Sequence, residues 1–342
     1  MNLARFARSR MNMALFWAGL RPKVFINKDK CPVSFIPEGY RSVCLISADF
    51  EMAWASRYTK STQEPLQKAI KDGIQTRKNV PIILDLCDTY NIPITWASVG
   101  HLFLESCQQI NGVKHPDIPR LPYFENEFWK FDKGDWFDYD PCTDYDTDPA
   151  WYAPDLIRDI LGRKTKHEIG CHTFSHIDCS DEINSREVFI AEINKCQDIA
   201  SNWGLVLKSF VHPGHTIGNL SELKEKGFRS IRTDYGDRLA PPTYRPEGVW
   251  EFHNTAILDL RKEWSIEYQI SRYRRIIDRA IKHGMVCVLW FHPSFPTRYV
   301  RDVLPKVLSY VDEKRNSIIA MTHEEYSKYL DVNYSTLRSD VQ

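Results

Sequence analysis

The sequence lacks an excess of charge of either sign and lacks any CxxC pair. Lys and Arg together number 45, and Asp and Glu together also number 45. A chain without a net field does not attract nucleic acid over its whole surface by counterion release, so no nucleic-acid partner is expected. Without CxxC pairs, a four-cysteine zinc ribbon has no support.

The composition is that of an ordinary globular protein. The chain has 342 residues, 43% of them hydrophobic and 26% charged, which excludes a disordered, collagenous or coiled-coil protein. The nine cysteines are an odd number, and several, such as Cys44 and Cys287, lie in apolar runs where a reduced thiol packs as a small hydrophobic group. We therefore expect a reducing compartment and a cytoplasmic location.

The first 38 residues form a basic arm. Its apolar run, residues 13–20, is too short to span a bilayer, and no small-x-small cleavage site follows it. We expect the arm to pack on the domain; weak contact with the inner face of a membrane and an export signal are the alternatives. The basic residues of the arm are Arg5, Arg8, Arg10, Arg21, Lys23, Lys28 and Lys30.

Short apolar runs alternate with helical patterns from residue 43 onwards. This alternation is typical of βα repeats and not of a β-sandwich. The eight candidate strands suit an α/β fold in the form of a barrel. The candidate strands are Val43–Ala48, Ile94–Val99, Glu168–Cys171, Ser209–His212, Arg229–Arg232, Val249–Phe252, Met285–Phe291 and Ser317–Met321.

Two amphipathic helices are predicted between these strands. Residues 185–203 place apolar side chains on one face, and Asn184 and Glu187 have the spacing of a capping box. Residues 266–281 show the same periodicity, and Gly284 follows as a stop signal. Both helices are expected to cover the sheet.

The region 105–166 interrupts the alternation. It is rich in Pro and aromatic residues, and between Glu125 and Asp148 it holds nine acidic residues against two lysines. A loop of this length within a compact domain is usually functional or disordered, and the aromatic content argues against disorder. The sequence therefore indicates a folded insertion.

Two histidines spaced four apart are the strongest chemical signal. His172 and His176 lie in the segment HEIGCHTFSH, residues 167–176. A single helical turn would place both imidazoles on one side, where they are a natural pair of zinc ligands. For the spacing taken alone, two unrelated surface histidines are the alternative.

Two carboxylates end the first predicted strand of the barrel. Asp49 and Glu51 are two residues apart, so they point to the same side of the strand while Phe50 points to the other. The pattern predicts a carboxylate pair. For the pair alone, a solvated strand end is the alternative.

Histidines also follow two later strands. His292 ends the apolar run 286–291, and His212 and His215 lie in the turn after another strand. In a parallel barrel the C-terminal ends of all strands meet at one rim, where catalytic groups collect. We therefore expect these strand ends to converge on one site, although His212 and His215 taken separately fit a structural turn equally well.

With these motifs, the chain resembles the polysaccharide deacetylases, the carbohydrate esterases with a NodB homology domain, over about residues 40–325. The segment His167–His176 is similar to the metal-binding histidine motif of that family. Leu289–His292 is similar to its late Leu-x-x-His motif, whose histidine is the catalytic acid, and Ile94–Gly100 resembles its second-strand segment.

The resemblance implies an α/β fold, a distorted (β/α) barrel of the NodB type with about seven to eight strands, and a domain organisation around it. The catalytic domain is expected over residues 39–330, with the insertion at 105–166. The basic arm, 1–38, precedes it, and a C-terminal tail, 331–342, follows.

The sequence departs from the family pattern at two motifs. The usual adjacent Asp-Asp is here Asp49-Phe50-Glu51, which is similar to variant subgroups with Asp-x-Asp or Asp-x-Glu. By that analogy Asp49 is the base and Glu51 the third metal ligand, with exchanged roles as the alternative. The common Phe-Arg-x-Pro motif reads Phe-Val-His-Pro at residues 210–213, so the arginine that orients the base is missing; Arg232 or His212 is expected to replace it.

The family implies a metal-dependent hydrolase that removes an N-acetyl group from an amino sugar of a glycan or glycan precursor. A divalent metal, expected to be Zn²⁺, would be bound by Glu51, His172 and His176. Asp49 would take a proton from water and His292 would donate one to the departing amine. The residues expected to bind substrate are His212, Pro213, Gly214 and Trp290.

The expected substrate is a nucleotide-linked, lipid-linked or oligosaccharide form of the sugar. We expect the segment 120–152 to fold over the rim as a wall, its rings stacking on the sugar together with Trp54 and Trp290. Its acidic residues should be distant from Asp49 and Glu51 or paired with basic groups, because unpaired acids nearby would raise the pKa of both carboxyls. The alternatives are aromatic side chains that belong to the core and an insertion that is ornamental or forms a dimer contact.

Three other functions fit the same residues. One is a C–N hydrolase acting on a formamido sugar or a small cyclic amide. Another is a non-catalytic carbohydrate-binding relative, which the missing arginine favours. The third is a structural metal protein, in which the histidines only stabilise the fold.

Overall fold

Parallel strands and covering helices alternate along the chain in a computed structural model, which describes residues 10–11, 13–15, 17–18, 25–27, 30–233 and 238–339. The strands are β1 (Phe25–Ile26), β2 (Ser42–Phe50), β3 (Thr95–Ser98), β4 (Phe124–Glu125), β5 (Lys130–Phe131), β6 (Glu168–Cys171), β7 (Ser209–Val211), β8 (Ser230–Thr233), β9 (Arg238–Leu239), β10 (Thr243–Tyr244), β11 (Trp250–His253), β12 (Ala256–Ile257), β13 (Val286–Phe291) and β14 (Ile318–Met321). The helices are α1 (Pro65–Tyr90), α2 (Pro154–Gly162), α3 (Arg186–Asn202), α4 (Leu220–Glu225), α5 (Ile266–His283), α6 (Thr297–Asp302), α7 (Leu304–Glu313) and α8 (His323–Ser339).

One sheet of ten strands forms the core. Its strands follow the order β10-β11-β8-β7-β6-β3-β2-β13-β12, and β14 also pairs with β2. All of these pairs are parallel except β10 with β11. The two end strands do not pair with each other within the described residues, so the barrel is open, and the predicted distorted (β/α) barrel is confirmed. All eight predicted strands are present, as β2, β3, β6, β7, β8, β11, β13 and β14.

The strand β2 lies in the interior of this sheet, paired along both edges. One of its edges pairs with β13 over Val43–Ala48. The other edge is divided, with β14 paired to Ser42–Leu45 and β3 paired to Ser47–Phe50. All nine residues of β2 are buried, as expected of a strand covered on both faces. The chain that follows β2 therefore emerges at the rim between the ends of β3 and β13.

The predicted helices are present as α3 and α5. Helix α3 is capped by Ser185, whose hydroxyl accepts from the backbone N–H of Val188, so the predicted capping box of Asn184 and Glu187 is wrong. The Asn184 side chain instead donates to the carbonyl of Asp178. Helix α5 ends at Gly284, whose φ of 64° is a left-handed conformation that glycine adopts without strain, as the sequence predicted.

The described part of the N-terminal arm contacts the domain. Strand β1 pairs with β9, and the hydroxyls of Tyr326 and Tyr329 on α8 donate to the carbonyls of Phe35 and Ile36. The predicted tail, 331–342, is helical as far as it is described, because α8 continues to Ser339. The basic residues Arg5, Arg8, Arg21, Lys23 and Lys28 of the arm lie outside the described residues.

Among the described residues, no helix combines the length and the apolar character that crossing a membrane requires.

Candidate active site

Glu51, His172 and His176 converge at the rim of the barrel. Glu51 follows β2 directly and His172 follows β6, while Oε1 of Glu51 lies 3.0 Å from Nε2 of each histidine. All three side chains are buried. Nδ1 of His172 lies 2.7 Å from the carbonyl oxygen of Val211, which only accepts, so the proton is on Nδ1 and Nε2 is available to a metal. One carboxylate and two imidazole nitrogens at these separations fit a divalent metal ion.

The two histidines are placed by a strained loop and not by a helical turn. Thr173 and His176 have φ values of 59° and 58°, so the predicted turn of helix at 172–176 is wrong. Left-handed backbone at non-glycine residues persists only where neighbouring structure supports it. Here the backbone N–H groups of Gly100 and His101 donate to the carbonyls of Thr173 and Phe174 at 2.9 and 3.0 Å.

Asp49 lies beside this group and is paired with Arg232 on β8. The guanidinium donates to both carboxylate oxygens, at 2.6 and 2.7 Å, and also to Ser47 Oγ at 2.7 Å. Burial raises the pKa of Asp49, but the charge and hydrogen bonds of Arg232 outweigh burial and hold the pKa below its usual value. Of the two residues expected to replace the missing family arginine, Arg232 is the one that contacts Asp49.

His292 follows β13 and lies at the mouth of the site. Its Nε2 is 3.5 Å from Oε2 of Glu51 and 4.0 Å from Oδ2 of Asp49, and its side chain is 26% exposed. Burial raises the pKa of Glu51, but the charges of His292 and His176 hold it well below its usual value. The site therefore combines ionised carboxylates with an imidazole that reaches solvent.

Two cavities meet at these residues. A cleft of about 630 Å³ and a smaller pocket of about 230 Å³ both border Glu51, Ala55 and His292. The wall of the cleft includes Lys68, Lys71, Asp72 and Gln75 of α1, and the wall of the pocket includes Asp49, His176, Gly214, His215 and Trp290.

Two of the four residues predicted to bind substrate line the smaller pocket. Gly214 and Trp290 are in its wall, whereas His212 and Pro213 are not. His212 is buried with its Nε2 3.2 Å from the carbonyl oxygen of Gly218, and burial lowers its pKa to about 3. The strand end directs His212 into the core, and His215 supplies the imidazole in the pocket wall.

The insertion contributes Phe128 and Trp129 to the same pocket. The indole of Trp129 lies 5.3 Å from the imidazole of His176, centroid to centroid. It also packs on Gly214, where any Cβ would come within 2.4 Å of the ring, so only glycine permits this approach. Trp54, expected to stack on a sugar, is instead fully buried, because its ring packs on those of Trp151 and His101.

Some acidic residues of the insertion are paired with basic groups, which is one of the two arrangements that the sequence predicted. Glu125 contacts Lys60 at 2.7 Å, and Asp135 contacts Arg120 at 2.6 Å. These ion pairs lower the charge that the insertion brings near the rim.

The fold is similar to that of several solved structures. A protein of Mycobacterium smegmatis described as a polysaccharide deacetylase superposes with a TM-score of 0.59 at 14% identity, covering 89% of this chain and 95% of the other. A protein of Pseudomonas aeruginosa PAO1 with the same description gives 0.58 at 13% identity, covering 90% and 96%. Puue allantoinase also gives 0.58, at 12% identity and the same coverage. No family model and no curated protein matches the sequence.

The chain thus has the fold of the polysaccharide deacetylases, and the resemblance seen in the sequence motifs is confirmed at the level of the fold. Proteins this distant in sequence share the architecture, and the chemistry has to be argued from the site itself.

Proposed function

We propose that the protein is a metal-dependent hydrolase that removes the N-acetyl group of an amino sugar. The observation that carries the proposal is the position of Glu51 Oε1, 3.0 Å from the Nε2 atoms of both His172 and His176, at the junction of two cavities. A catalytic zinc site characteristically has three protein ligands and remains open to water and substrate.

Glu51, His172 and His176 would hold the metal, with Zn²⁺ as the ion that this donor set fits best. When bound, the ion lowers the pKa of water and polarises the acyl oxygen. Glu51 faces the two imidazoles, whereas both oxygens of Asp49 accept from Arg232. This difference supports Glu51 as the ligand and Asp49 as the base.

Asp49 and His292 would carry the proton transfers. The pairing with Arg232 holds Asp49 ionised and fixes its orientation, which are the two requirements of a base that takes a proton from water. His292 lies across the mouth of the site and reaches solvent, so it can donate a proton to the departing amine and be reprotonated from bulk water.

The cavities support a sugar that carries an anionic group. The rings of Phe128, Trp129 and Trp290 line the smaller pocket, where they can stack on a pyranose. The larger cleft is bordered by Lys68 and Lys71, and Lys68 is already paired with Asp72 at 2.5 Å. Lys71 is thus suited to a phosphate, which supports a nucleotide-linked or lipid-linked sugar over a neutral oligosaccharide.

Hydrolysis of a small cyclic amide is the second candidate. It is favoured by the volume of the pocket beside Glu51, about 230 Å³, which is below the range usual for sites that enclose drug-sized ligands.

The test is a substrate panel with metal-loaded protein. Released acetate and formate are measured with N-acetylated nucleotide sugars, lipid-linked sugars, chitooligosaccharides and formamido sugars, and allantoate formed by ring opening is measured with allantoin, with His176→Ala as the matched control. We expect acetate from an N-acetylated sugar in the wild type and almost none in the variant. Sugar binding without turnover in the metal-loaded wild type would instead favour a non-catalytic carbohydrate-binding protein, and ring opening of allantoin alone would favour the second candidate.

A further inference from the structure

A second group of potential metal ligands lies next to the loop 172–176, which carries His172 and His176. It consists of His101, in the turn after β3, and of Cys107, His115 and Asp140, which come from the insertion. One donor atom from each of the four lies within 4.8 Å of every other. Nothing in the proposed reaction uses these side chains.

The donors converge on a single carboxylate oxygen. Oδ2 of Asp140 is 2.7 Å from Nε2 of His115, 3.2 Å from Nε2 of His101 and 3.5 Å from Sγ of Cys107. His101 and Asp140 are fully buried and His115 is 7% exposed, while Cys107 is half-buried. The other oxygen of Asp140 accepts from the backbone N–H of Cys142 at 2.9 Å, which orients the carboxylate.

The imidazole of His101 has a nitrogen without a hydrogen-bond partner. Its Nδ1 lies 3.4 Å from the carbonyl oxygen of Trp151, which only accepts, so the proton is on Nδ1. Nε2 is buried, makes no hydrogen bond and points into the cluster, with its lone pair towards the other donors. A buried polar atom without a partner is uncommon in a folded protein and requires an explanation. A metal ion among the four donors provides one.

We propose that His101, Cys107, His115 and Asp140 bind a structural Zn²⁺ ion. Four protein ligands of the nitrogen, sulfur and oxygen types complete a tetrahedral shell, which is the closed arrangement of structural zinc sites. One thiolate, one carboxylate and two neutral imidazoles also balance the double positive charge. Binding would displace the thiol proton of Cys107 to solvent.

The ion would support the loop that carries His172 and His176. The ring of His101 lies 5.5 Å from that of Phe174, in the middle of this loop, and the backbone N–H of His101 donates to the carbonyl of Phe174. The same imidazole packs on Trp54 at 4.4 Å, and the backbone N–H of Trp54 donates to the carbonyl of Glu51. The second site therefore contacts both segments that form the first.

A disulfide between Cys107 and Cys142 is the competing arrangement. The two sulfur atoms are 2.9 Å apart, and both thiols are free. Oxidation would consume the thiolate that the ion requires, so the experiment has to distinguish a metal thiolate from a disulfide.

Cobalt substitution tests the site independently of the proposed function. The full-length protein is reduced, stripped of metal with a chelator and titrated with Co²⁺. Thiolate bonded to Co²⁺ produces a charge-transfer absorption in the near ultraviolet, and the site at Glu51 contains no thiolate. We expect this band in the wild type and in His176→Ala, its loss in Cys107→Ser, and no change in Cys31→Ser, which removes another half-buried thiol.

Zinc content provides a second measurement that does not depend on reconstitution. In the His176→Ala background, we expect about one zinc per purified chain, falling to near zero on adding Cys107→Ser. Absence of the cobalt band in reduced wild type, its persistence in Cys107→Ser, or a Cys107 to Cys142 disulfide found by mass spectrometry in purified protein would each overturn the proposal. A negative result in the substrate panel would leave these measurements unaffected.

Discussion

The two histidine clusters use nearly the same side chains in opposite settings. The upper cluster consists of Glu51, His172 and His176, and the lower cluster of His101, Cys107, His115 and Asp140. In each, two imidazole nitrogens face one carboxylate oxygen, that of Glu51 or that of Asp140. The upper cluster adjoins two cavities, Asp49 and His292, whereas the lower cluster is enclosed by aromatic rings and includes a cysteine. The proposed catalytic and structural metal sites thus differ in access and in neighbouring groups more than in ligand identity.

The largest expected effect is that of His176→Ala in the upper cluster. Two remaining protein ligands hold zinc poorly, so this site should lose its metal and turnover should fall by at least about a thousandfold, since oxyanion stabilisation is lost with the ion. Metal analysis and the rate of acyl release measure both effects. Undiminished metal at this site in a folded variant would contradict the assignment.

Asp49→Asn should separate the roles of the two acids of the upper cluster. It should retain metal and lose activity by about a hundredfold or more, as expected for a missing general base, whereas Glu51→Gln should lose metal as well. Metal content and turnover are measured on the same samples. The opposite pattern would exchange the roles of Asp49 and Glu51, and no effect from either would reject the site.

Asp140→Asn, in the lower cluster, should lower the stability of the protein. Removing one charge of a buried group of this kind lowers the free energy of unfolding by on the order of 3 kcal/mol. In the His176→Ala background, which lacks the ion at Glu51, chelator should destabilise the protein with Asp140 but not the one that also carries Asp140→Asn, since the ion of the lower cluster would already be absent. Urea unfolding with and without chelator measures this, with the exposed Asp146→Asn as the control. Equal stability of Asp140→Asn and Asp146→Asn would show that the lower cluster has no structural role.

Glu168→Gln tests how burial shifts the pKa of a carboxyl group whose hydrogen bonds come from hydroxyl and backbone N–H donors. Glu168 is buried like Asp140, but its Oε2 accepts from the Thr95 hydroxyl and the Glu324 backbone N–H, and burial raises its pKa from 4.5 to about 7. The pKa of Asp140, which burial also raises, is held far below its usual value by the adjacent imidazoles of His101 and His115 and by the hydrogen bond from the backbone N–H of Cys142. Two carboxyl groups of similar burial therefore have pKa values shifted in opposite directions, because imidazoles lie beside Asp140.

The sign of the pH effect follows from the raised pKa of Glu168. Between pH 4.5 and 7 the unfolded chain releases this proton first, so the free energy of unfolding of the wild type falls as the pH rises, by on the order of 3 kcal/mol. The glutamine variant should lack this part of the pH dependence. Urea midpoints across this range measure it, and the exposed Glu187→Gln should follow the wild type. A wild-type slope in Glu168→Gln would refute the raised pKa.

The smallest effect is expected from Trp129→Ala, at the edge of the upper cluster. Loss of the indole should raise KM about tenfold for a sugar substrate, which corresponds to one stacking contact, with metal content unchanged. Tyr123→Ala, on the exposed surface of the same insertion, is the control. Unchanged kinetics in Trp129→Ala and Phe128→Ala would show that the insertion does not recognise substrate. Point variants are needed because replacing 120–152 would also remove Asp140.

The sheet and the upper cluster could be predicted because their signals are local and periodic. The core strands are short buried runs, and alternation along β2 places Asp49 and Glu51 on one side. The spacing of His172 and His176 identified the pair but suggested the wrong backbone, since a supported left-handed loop leaves no trace in a four-residue interval.

The lower cluster was not predictable from the sequence in the same way. Its ligands are unevenly spaced along a segment with little regular secondary structure, and no periodicity connects His101 to Asp140. The contact of Trp129 with Gly214 depends likewise on tertiary packing, because the insertion holds several rings of similar kind and most of them are buried in the core.

The distance along the chain between the ligands sets an order of assembly. His115 and Asp140 are 25 residues apart, whereas Glu51 and His176 are 125 residues apart. Closing the longer loop costs about 1.4 kcal/mol more in chain entropy, and it also requires β2, β3 and β6 to be in register. During folding the lower cluster can therefore form early from contacts within one segment, whereas the upper cluster forms only when the barrel is nearly complete. Metal uptake at Glu51 would then mark the last step of maturation.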